Sequence, residues 1–365
     1  MNLYYDNKTK KEEIYNLYQL IFEDPEEFAR YYFSEMYAKN RCLLLEKDGK
    51  IGAMLHQNPY EMMVGDKEFL LSYIVAVSTR EEMRRQGCMR KLLCRTLEDL
   101  AKMGEPFTYL MPARKEYYEP FDFVFIMDWY VFKTEKLEKR IAKEEKSSLQ
   151  LEIQNEDNIQ FIAAKMNEAR ENYAKVFTKM SVQLLQRLEK EQNCENGHVF
   201  LIREEKKCIA TGMYTKANYE VQITNLFIEN QERKEEVINF LRQEFSSYAI
   251  EWISYDKNLL EEKYEKKPLI MARVLRVDIL LPLLKSTKKQ EFVIEIKDSY
   301  MKNNNGRFLW KMDENGSGLE KTKREPDICV EIAKLTEIIF GYTDTQEEYL
   351  KYIIPLGPVH ITEVV

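Results

Sequence analysis

Two neighbouring stretches carry residue types that can do chemistry. Tyr73-Ile74-Val75-Ala76-Val77-Ser78 is an apolar run of strand character. Arg84-Arg85-Gln86-Gly87-Cys88-Met89-Arg90 follows it after a charged loop and opens an amphipathic segment, Cys88 to about Met103, with apolar residues at helical spacing. A basic loop with one glycine at a helix start is suited to anion capture. The first amides of a helix have no intrahelical partner, and the helix dipole adds partial positive charge there. A diphosphate can dock on those amides; Gly87 lets the backbone approach, and Arg84, Arg85 and Arg90 add charge. The pattern is neither GxxxxGK[ST] nor GxGxxG, so it is not a P-loop and not a dinucleotide fingerprint. Residue chemistry alone leaves a second reading open, a solvated turn ahead of a surface helix.

The elements that would position this loop occur twice. Glu12 to Phe22 reads as a helix, with Ile14, Leu17, Tyr18 and Ile21 on one face, and Asp24 caps a second helix that opens with Pro25 and runs to about Tyr37. Cys42–Glu46 is a strand, Asp48-Gly49 a turn and Ile51–His56 the return; Phe69–Ser78 is a long strand. Strands at Phe107–Met111 and Phe123–Lys133 follow the helix. After a strand at Leu149–Ile153, the order begins again. Helices are expected over Asn158–Tyr173 and from Ser181, and strands over Val199–Arg203, Ile209–Tyr214 and Glu220–Ile228. A helix over Glu232–Ser246 and a strand over Ile250–Tyr255 close the series. The shared order predicts duplication of one α/β unit.

The last part of the chain differs. A short helix (Val277–Leu284), strands around the turn cluster Asn303-Asn304-Asn305-Gly306, a strand at Asp327–Glu331, a helix at Ile332–Phe340 and a helical Tyr349–Ile353 are expected. The apolar end, His360-Ile361-Thr362-Glu363-Val364-Val365, predicts a terminus tucked into the structure. The expected domains are 1–145, 146–272 and 273–365.

Composition narrows the function class. The chain has 365 residues, 44% hydrophobic and 32% charged, which is globular rather than disordered. Its net charge of −7 argues against nucleic-acid binding and suits an amine-bearing substrate. The N-terminus is polar, and no apolar run approaches the roughly 18 residues that span a bilayer, so a cytoplasmic protein without membrane contact is expected. The six cysteines (Cys42, Cys88, Cys94, Cys194, Cys208, Cys329) form no CxxC pair and read as reduced thiols; Cys88 reads as incidental. Three scattered histidines (His56, His198, His360) and the lack of GxSxG argue against a metal site and a serine–histidine triad.

The strand–loop–helix unit resembles the acyl-CoA signature of the GNAT acyltransferases, [Arg/Gln]-x-x-Gly-x-[Gly/Ala], here Arg84-Arg85-Gln86-Gly87-Cys88-Met89; Met89 departs from the small residue of the pattern. The duplication, the arginine-rich loop and a third domain are similar to one branch, the enhanced-intracellular-survival type. Arg276-Val277-Asp278-Ile279-Leu280 and Pro326-Asp327-Ile328 resemble that branch's third domain. The resemblance implies an α/β (α+β) architecture: tandem GNAT units with a C-terminal sterol-carrier-protein-like α+β domain. It implies an N-acetyltransferase that uses acetyl-CoA, works by direct transfer to a small cationic amine such as an aminoglycoside, and assembles as a homo-oligomer, a hexamer. A protein-lysine acetyltransferase and a non-catalytic acyl-CoA- or lipid-binding protein are the alternatives.

The same resemblance assigns residues. Main-chain groups of Val75, Ala76 and Val77 would contact pantetheine and thioester, which is oxyanion-hole chemistry done by backbone. Arg84 to Arg90 would hold the diphosphate, with Ala113 and Arg114 near the cofactor. Counting back from Phe121-Asp122-Phe123, where Asp122 replaces the usual glycine, puts the general acid at Tyr118, with Tyr117 the adjacent alternative. The terminal carboxylate, on Val365, would be the base. Glu23, Asp24 and Glu363 are acids that could grip a cation, though surface charge is the plainer reading of each. The matching loop of the second unit, Glu229-Asn230-Gln231-Glu232-Arg233-Lys234, has no glycine and two acids, so one cofactor site per chain is expected.

Overall fold

In the computed structural model the described residues are 1–136 and 147–362. They form two compact units. One comprises Met1–Met127, Ala174–Thr178 and the chain from Leu269 onward; the other comprises Asp128–Tyr173 and Lys179–Pro268. The expected boundary near residue 145 lies outside the described residues.

The first unit opens with strand β1 (Asn2–Tyr5), helix α1 (Lys11–Ile21) and helix α2 (Glu26–Tyr31), which continues as a π-helical turn, Tyr32–Met36. Ile14, Leu17 and Tyr18 turn α1's apolar stripe inward, as 3.6-residue spacing requires. Pro25, not Asp24, is the cap residue of α2; Asp24 instead accepts the Tyr18 hydroxyl. Strands β2 (Arg41–Lys47) and β3 (Lys50–Val64) turn on Asp48-Gly49, both left-handed at φ +53° and +77°, the geometry that matches strand twist. β3 runs eight residues past His56 despite Pro59. The last β2 pair is Arg41 with Gln57, so the missing Pro59 N–H breaks no bond to β2.

Strand β4 (Lys67–Thr79) pairs antiparallel with β3, helix α3 (Cys88–Lys102) packs Leu92, Leu93, Leu97 and Leu100 into the core, and β5 (Phe107–Leu110) follows. Two further strands of this sheet carry no clear sequence signal. Val176–Thr178 is only three residues long and pairs with β3. Tyr264–Val274 begins with charge and contains Pro268; its residues 271–274 pair antiparallel with β5. Beyond it lie a short helix, Val277–Leu280, and a four-stranded sheet in the order Ser317–Lys321, Gly306–Met312, Gln290–Lys297, Ile328–Glu331. Helix Ile332–Ile339 buries Ile332, Leu335, Ile338 and Ile339. The expected helix near Tyr349 is a single 3-10 turn, Leu350–Tyr352. Val359–His360 pairs parallel with Val176–Phe177, and Ile361 and Thr362 are buried. Glu363, Val364 and Val365 lie outside the described residues.

The second unit repeats the order. Helices Ile159–Tyr173 and Val182–Asn193 precede strands His198–Glu204, Lys207–Ala217 and Glu220–Ile228, helix Lys234–Glu244 and strand Ala249–Ser254. Ser181 caps the second helix through the Leu184 amide at 3.1 Å. Alternation along His198–Glu204 builds two cores. Val199 and Leu201 join the two earlier helices, while Phe200 and Ile202 join Val237, Ile238 and Leu241 of the later one.

One acid of the first unit is buried without an ion-pair partner among the described residues; the Arg41 guanidinium acts on it only as a minor influence. Glu105, between α3 and β5, accepts the Ser72 amide and hydroxyl, both at 2.8 Å. Burial pushes its carboxyl up to about 7, against those two hydrogen bonds. Between its ordinary value of about 4.3 and 7 the native state therefore holds a proton the unfolded chain has released, so stability falls as pH rises through that window. Glu105→Gln should lessen the fall. Thermal melts at pH 4.5 and pH 8 should differ less for the variant than for the parent; an equal difference would refute it.

Candidate active site

The ladder between β3 and β4 is regular up to Val75, which faces His56, and resumes at Ser78, which faces Met54. Ala76 and Val77 thus share Leu55, a bulge with one residue too many. Ala76 takes φ +52°, a left-handed conformation that costs a residue with a Cβ roughly 1–2 kcal/mol. On its other side β4 pairs with β5 only at Tyr73–Tyr109, so beyond Tyr73 the two strands diverge. Main-chain groups of Val75, Ala76 and Val77 therefore border an opening that β5 does not close. Their side chains are half-buried (Val75, Val77) or buried (Ala76), so packing and main-chain exposure coexist here.

The basic loop stands between β4 and α3. Arg84, Arg85, Gln86, Gly87 and Arg90 are exposed, Met89 is half-buried and Cys88 is buried. Arg85 and Gly87 are both left-handed, at φ +61° and +74°. A Cβ on Gly87 would meet nothing within 4 Å, so the glycine answers to the backbone conformation rather than to crowding. No side chain caps α3 and its first turn holds no acid, which leaves the N-terminal amides available to an anion. Arg84 Nε reaches Thr79 O at 3.4 Å, and the Arg85 guanidinium has no partner among the described residues. The Cys88 thiol turns inward to Met83 O at 3.5 Å.

After β5, Ala113 and Arg114 are exposed, and two 3-10 turns follow, Lys115–Tyr117 and Glu119–Phe121. The adjacent tyrosines are distinguished by burial. Tyr117 is 50% exposed, whereas Tyr118 is 7% exposed within the α3 core cluster, edge-on to Phe123 at 6.0 Å. The Tyr118 hydroxyl has no hydrogen-bond partner among the described residues. Burial, with a smaller push from Tyr117, raises its phenol to about 12, so it stays protonated throughout the neutral range. Asp122 takes φ +63°, the conformation a glycine would supply and one that aspartate tolerates. Burial raises its carboxyl, and the nearby Arg273 guanidinium opposes the rise.

Arg273, Asp298 and Tyr300 bear on this turn and went unrecognised in the sequence. Arg273 is fully buried and donates from Nε to Phe121 O at 2.9 Å. A lone arginine inside the apolar run Leu269-Ile270-Met271-Ala272-Arg273-Val274-Leu275 was the available signal.

The remaining candidates sit elsewhere. Glu23 and Asp24 are exposed. His56 is fully buried beside Tyr32 (Nδ1 to the hydroxyl, 2.9 Å), and burial lowers its pKa to about 3; His198 pairs with Glu189 at 2.7 Å, and His360 is buried. The second unit keeps a left-handed residue in its long strand, Asn225 at φ +50°, but helix Lys234–Glu244 begins differently. Arg233 is committed to Glu236 and Glu204 at 2.7 and 2.8 Å, and Glu235 and Glu236 fill the first turn, which repels an anion.

Residues 5–126 match the model of the acetyltransferase (GNAT) domain, and residues 277–350 match that of the sterol carrier protein domain. Among solved structures, the chain is similar to a probable N-acyltransferase of unknown function from Enterococcus faecalis V583 (TM-score 0.80, 16% identity, covering 97% of this chain and 93% of that one). It is also similar to a GCN5-related N-acetyltransferase from Anabaena variabilis (0.80, 16%, 99% of each) and to Eis1 from Mycobacterium abscessus (0.71, 14%, 98% and 94%). At these identities the likeness establishes the fold, and it extends over nearly the whole chain. No curated protein matches the sequence.

Proposed function

With residues 5–126 a GNAT acetyltransferase domain and residues 277–350 a sterol carrier protein domain, we propose that the chain transfers acetyl from acetyl-CoA directly to an amine of a small cationic, aminoglycoside-like acceptor. The observation that carries this reading is the pairing of a left-handed bulge at Ala76, where β4 and β5 diverge, with a left-handed Gly87 that opens an uncapped, acid-free helix end. A thioester carbonyl and a diphosphate need donors of these two kinds.

Each residue has a task. Amides from Gln86 to Arg90 and the side chains of Arg84 and Arg85 bind the diphosphate. Main-chain donors of Val75, Ala76 and Val77 polarise the thioester carbonyl, and Ala113 and Arg114 flank the cofactor. Tyr118 donates a proton to the departing thiolate, and the carboxylate of Val365 accepts one from the attacking amine. The mild acidity of the whole chain favours a cationic acceptor. In this reading residues 1–145 hold the one cofactor site, 146–272 are a degenerate copy and 273–365 a sterol-carrier-like domain. The protein is cytoplasmic and self-assembles. No helix of the described residues is long and apolar enough to cross a membrane.

Thiol release from acetyl-CoA, measured against an aminoglycoside panel, tests the proposal. Acceptor-dependent release is expected. CoA binding without turnover of any amine would favour a binding protein, and turnover only of lysine peptides would move the acceptor to protein.

A further inference from the structure

The turn that carries Tyr118 is held from within and from outside; within it, Lys115 Nζ pairs with Glu119 at 3.1 Å. Its internal main-chain bonds run from Tyr117 N to Arg114 O, Tyr118 N to Lys115 O, Phe121 N to Tyr118 O, Asp122 N to Glu119 O and Phe123 N to Tyr118 O. Beyond packing and the Arg90 guanidinium over Phe121, its hydrogen-bonding anchors come from chain more than 150 residues away. Arg273 donates to Phe121 O at 2.9 Å, to Val274 O and Asp298 Oδ1 at 2.5 Å each, and approaches Asp122 Oδ2 at 3.5 Å. Asp298 is itself buried and also accepts Tyr300 N, Met301 N and Asn304 Nδ2 at 2.8–2.9 Å. Tyr300 sets its ring against Phe121, tilted by 34° at 5.4 Å, and donates its hydroxyl to Pro120 O at 2.7 Å. The same hydroxyl accepts Arg90 Nη1 at 3.3 Å, and Arg90 lies over Phe121. Arg90 belongs to the first turn of α3, the proposed diphosphate end.

We infer that Arg273 and Tyr300 are positioning residues for Tyr118: a buried ion pair and one hydroxyl, both from the C-terminal part of the chain, fix the acid's turn and tie it to the cofactor helix. The inference rests on the proposed role of Tyr118. A buried charge pair is a weak way to gain stability and a better way to fix one geometry. Among the described residues the Tyr118 hydroxyl has no hydrogen-bond partner, so the backbone of the turn sets where it points. Catalytic groups must be held to about 0.5 Å. The C-terminal domain then acts as a scaffold of the active site as well as a neighbour in the chain.

Arg273 variants strand Asp298 in the core and can fail to fold, so Tyr300→Phe is the informative change: it keeps the ring and removes only the hydroxyl. Two measurements are made on the full chain. In hydrogen–deuterium exchange, the peptide spanning residues 113–123 should exchange about tenfold faster in the variant, with the rest of the chain unchanged. In acetyl transfer to whichever aminoglycoside is turned over best, kcat should fall about five- to tenfold, and the same change made in Tyr118→Phe should add less than about twofold. Unchanged exchange overturns the hold on the turn, whatever reaction the chain performs. Equal losses in both backgrounds overturn the link to Tyr118. Full activity of Tyr118→Phe alone removes the acid assignment, and with it the functional half of the inference, while the exchange result still decides the structural half.

Discussion

Tyr118→Phe should lower kcat for acetyl transfer about a hundredfold or more and leave the affinity for acetyl-CoA unchanged. The substitution deletes one hydroxyl that has no hydrogen-bond partner among the described residues, so the core around Leu92, Leu97, Phe121 and Phe123 should keep its packing. Loss of activity would then report chemistry rather than folding, and an unshifted melting temperature would confirm that separation. The pH profile adds a second check. Burial raises this phenol to about 12, so it should cause no fall in kcat on the alkaline side until pH exceeds about 11. An ordinary thiol titrates at about 8.5, below this phenol, so the transfer is favourable only where the same apolar surroundings raise the basicity of the departing thiolate. Tyr117→Phe, at the exposed neighbour, should leave kcat within about twofold. A loss below about tenfold in Tyr118→Phe would remove the acid assignment.

Adding two glycines after Val365 should lower kcat by a comparable factor. In the proposed role the base is the α-carboxylate on Val365, and two added residues would carry that group up to roughly 7 Å farther along the chain, beyond hydrogen-bond reach of a fixed proton donor. The chain is seated close to its end. Val359 and His360 pair with Val176 and Phe177, and the Thr362 amide lies 3.4 Å from Thr178 Oγ1, three residues short of the terminus. These contacts precede the extension, so stability and cofactor binding should persist while the base is lost. A free α-carboxyl titrates at about 3.5 and is a feeble base, so it needs desolvation or a relaying water to act near neutrality. An unchanged rate in the extended protein would exclude Val365.

The sequence carried the elements that periodicity and turn chemistry encode. α3 begins at Cys88 as its pattern requires, Asp48-Gly49 makes the expected hairpin, and Ser181 caps its helix. The second copy was legible because the order of elements repeats even though residues do not. Strands that depend on distant partners were hidden. Val176–Thr178 exists by virtue of β3 and the tail, and residues 271–274 by virtue of β5. The basic loop at the start of α3 was readable because glycine and arginine have local reasons to be there. The bulge at Ala76 was not, since alanine gives no sign of a left-handed backbone. Arg273 and Asp298 lie 25 residues apart and meet only through the folding of the C-terminal segment. The position of Asp122 looked discordant in sequence, and the structure resolves it: aspartate adopts the φ that glycine would have adopted.

The central claim is that main-chain donors around Gly87, from Gln86 to Arg90, hold one CoA per chain, and calorimetric titration of CoA tests it most directly. The account predicts a stoichiometry of one, because the second copy presents Glu235 and Glu236 where the first presents open amides. It also predicts that Gly87→Val, which forces a β-branched residue into φ +74°, weakens binding about tenfold or more. No binding, two sites per chain, or full affinity in Gly87→Val would contradict it.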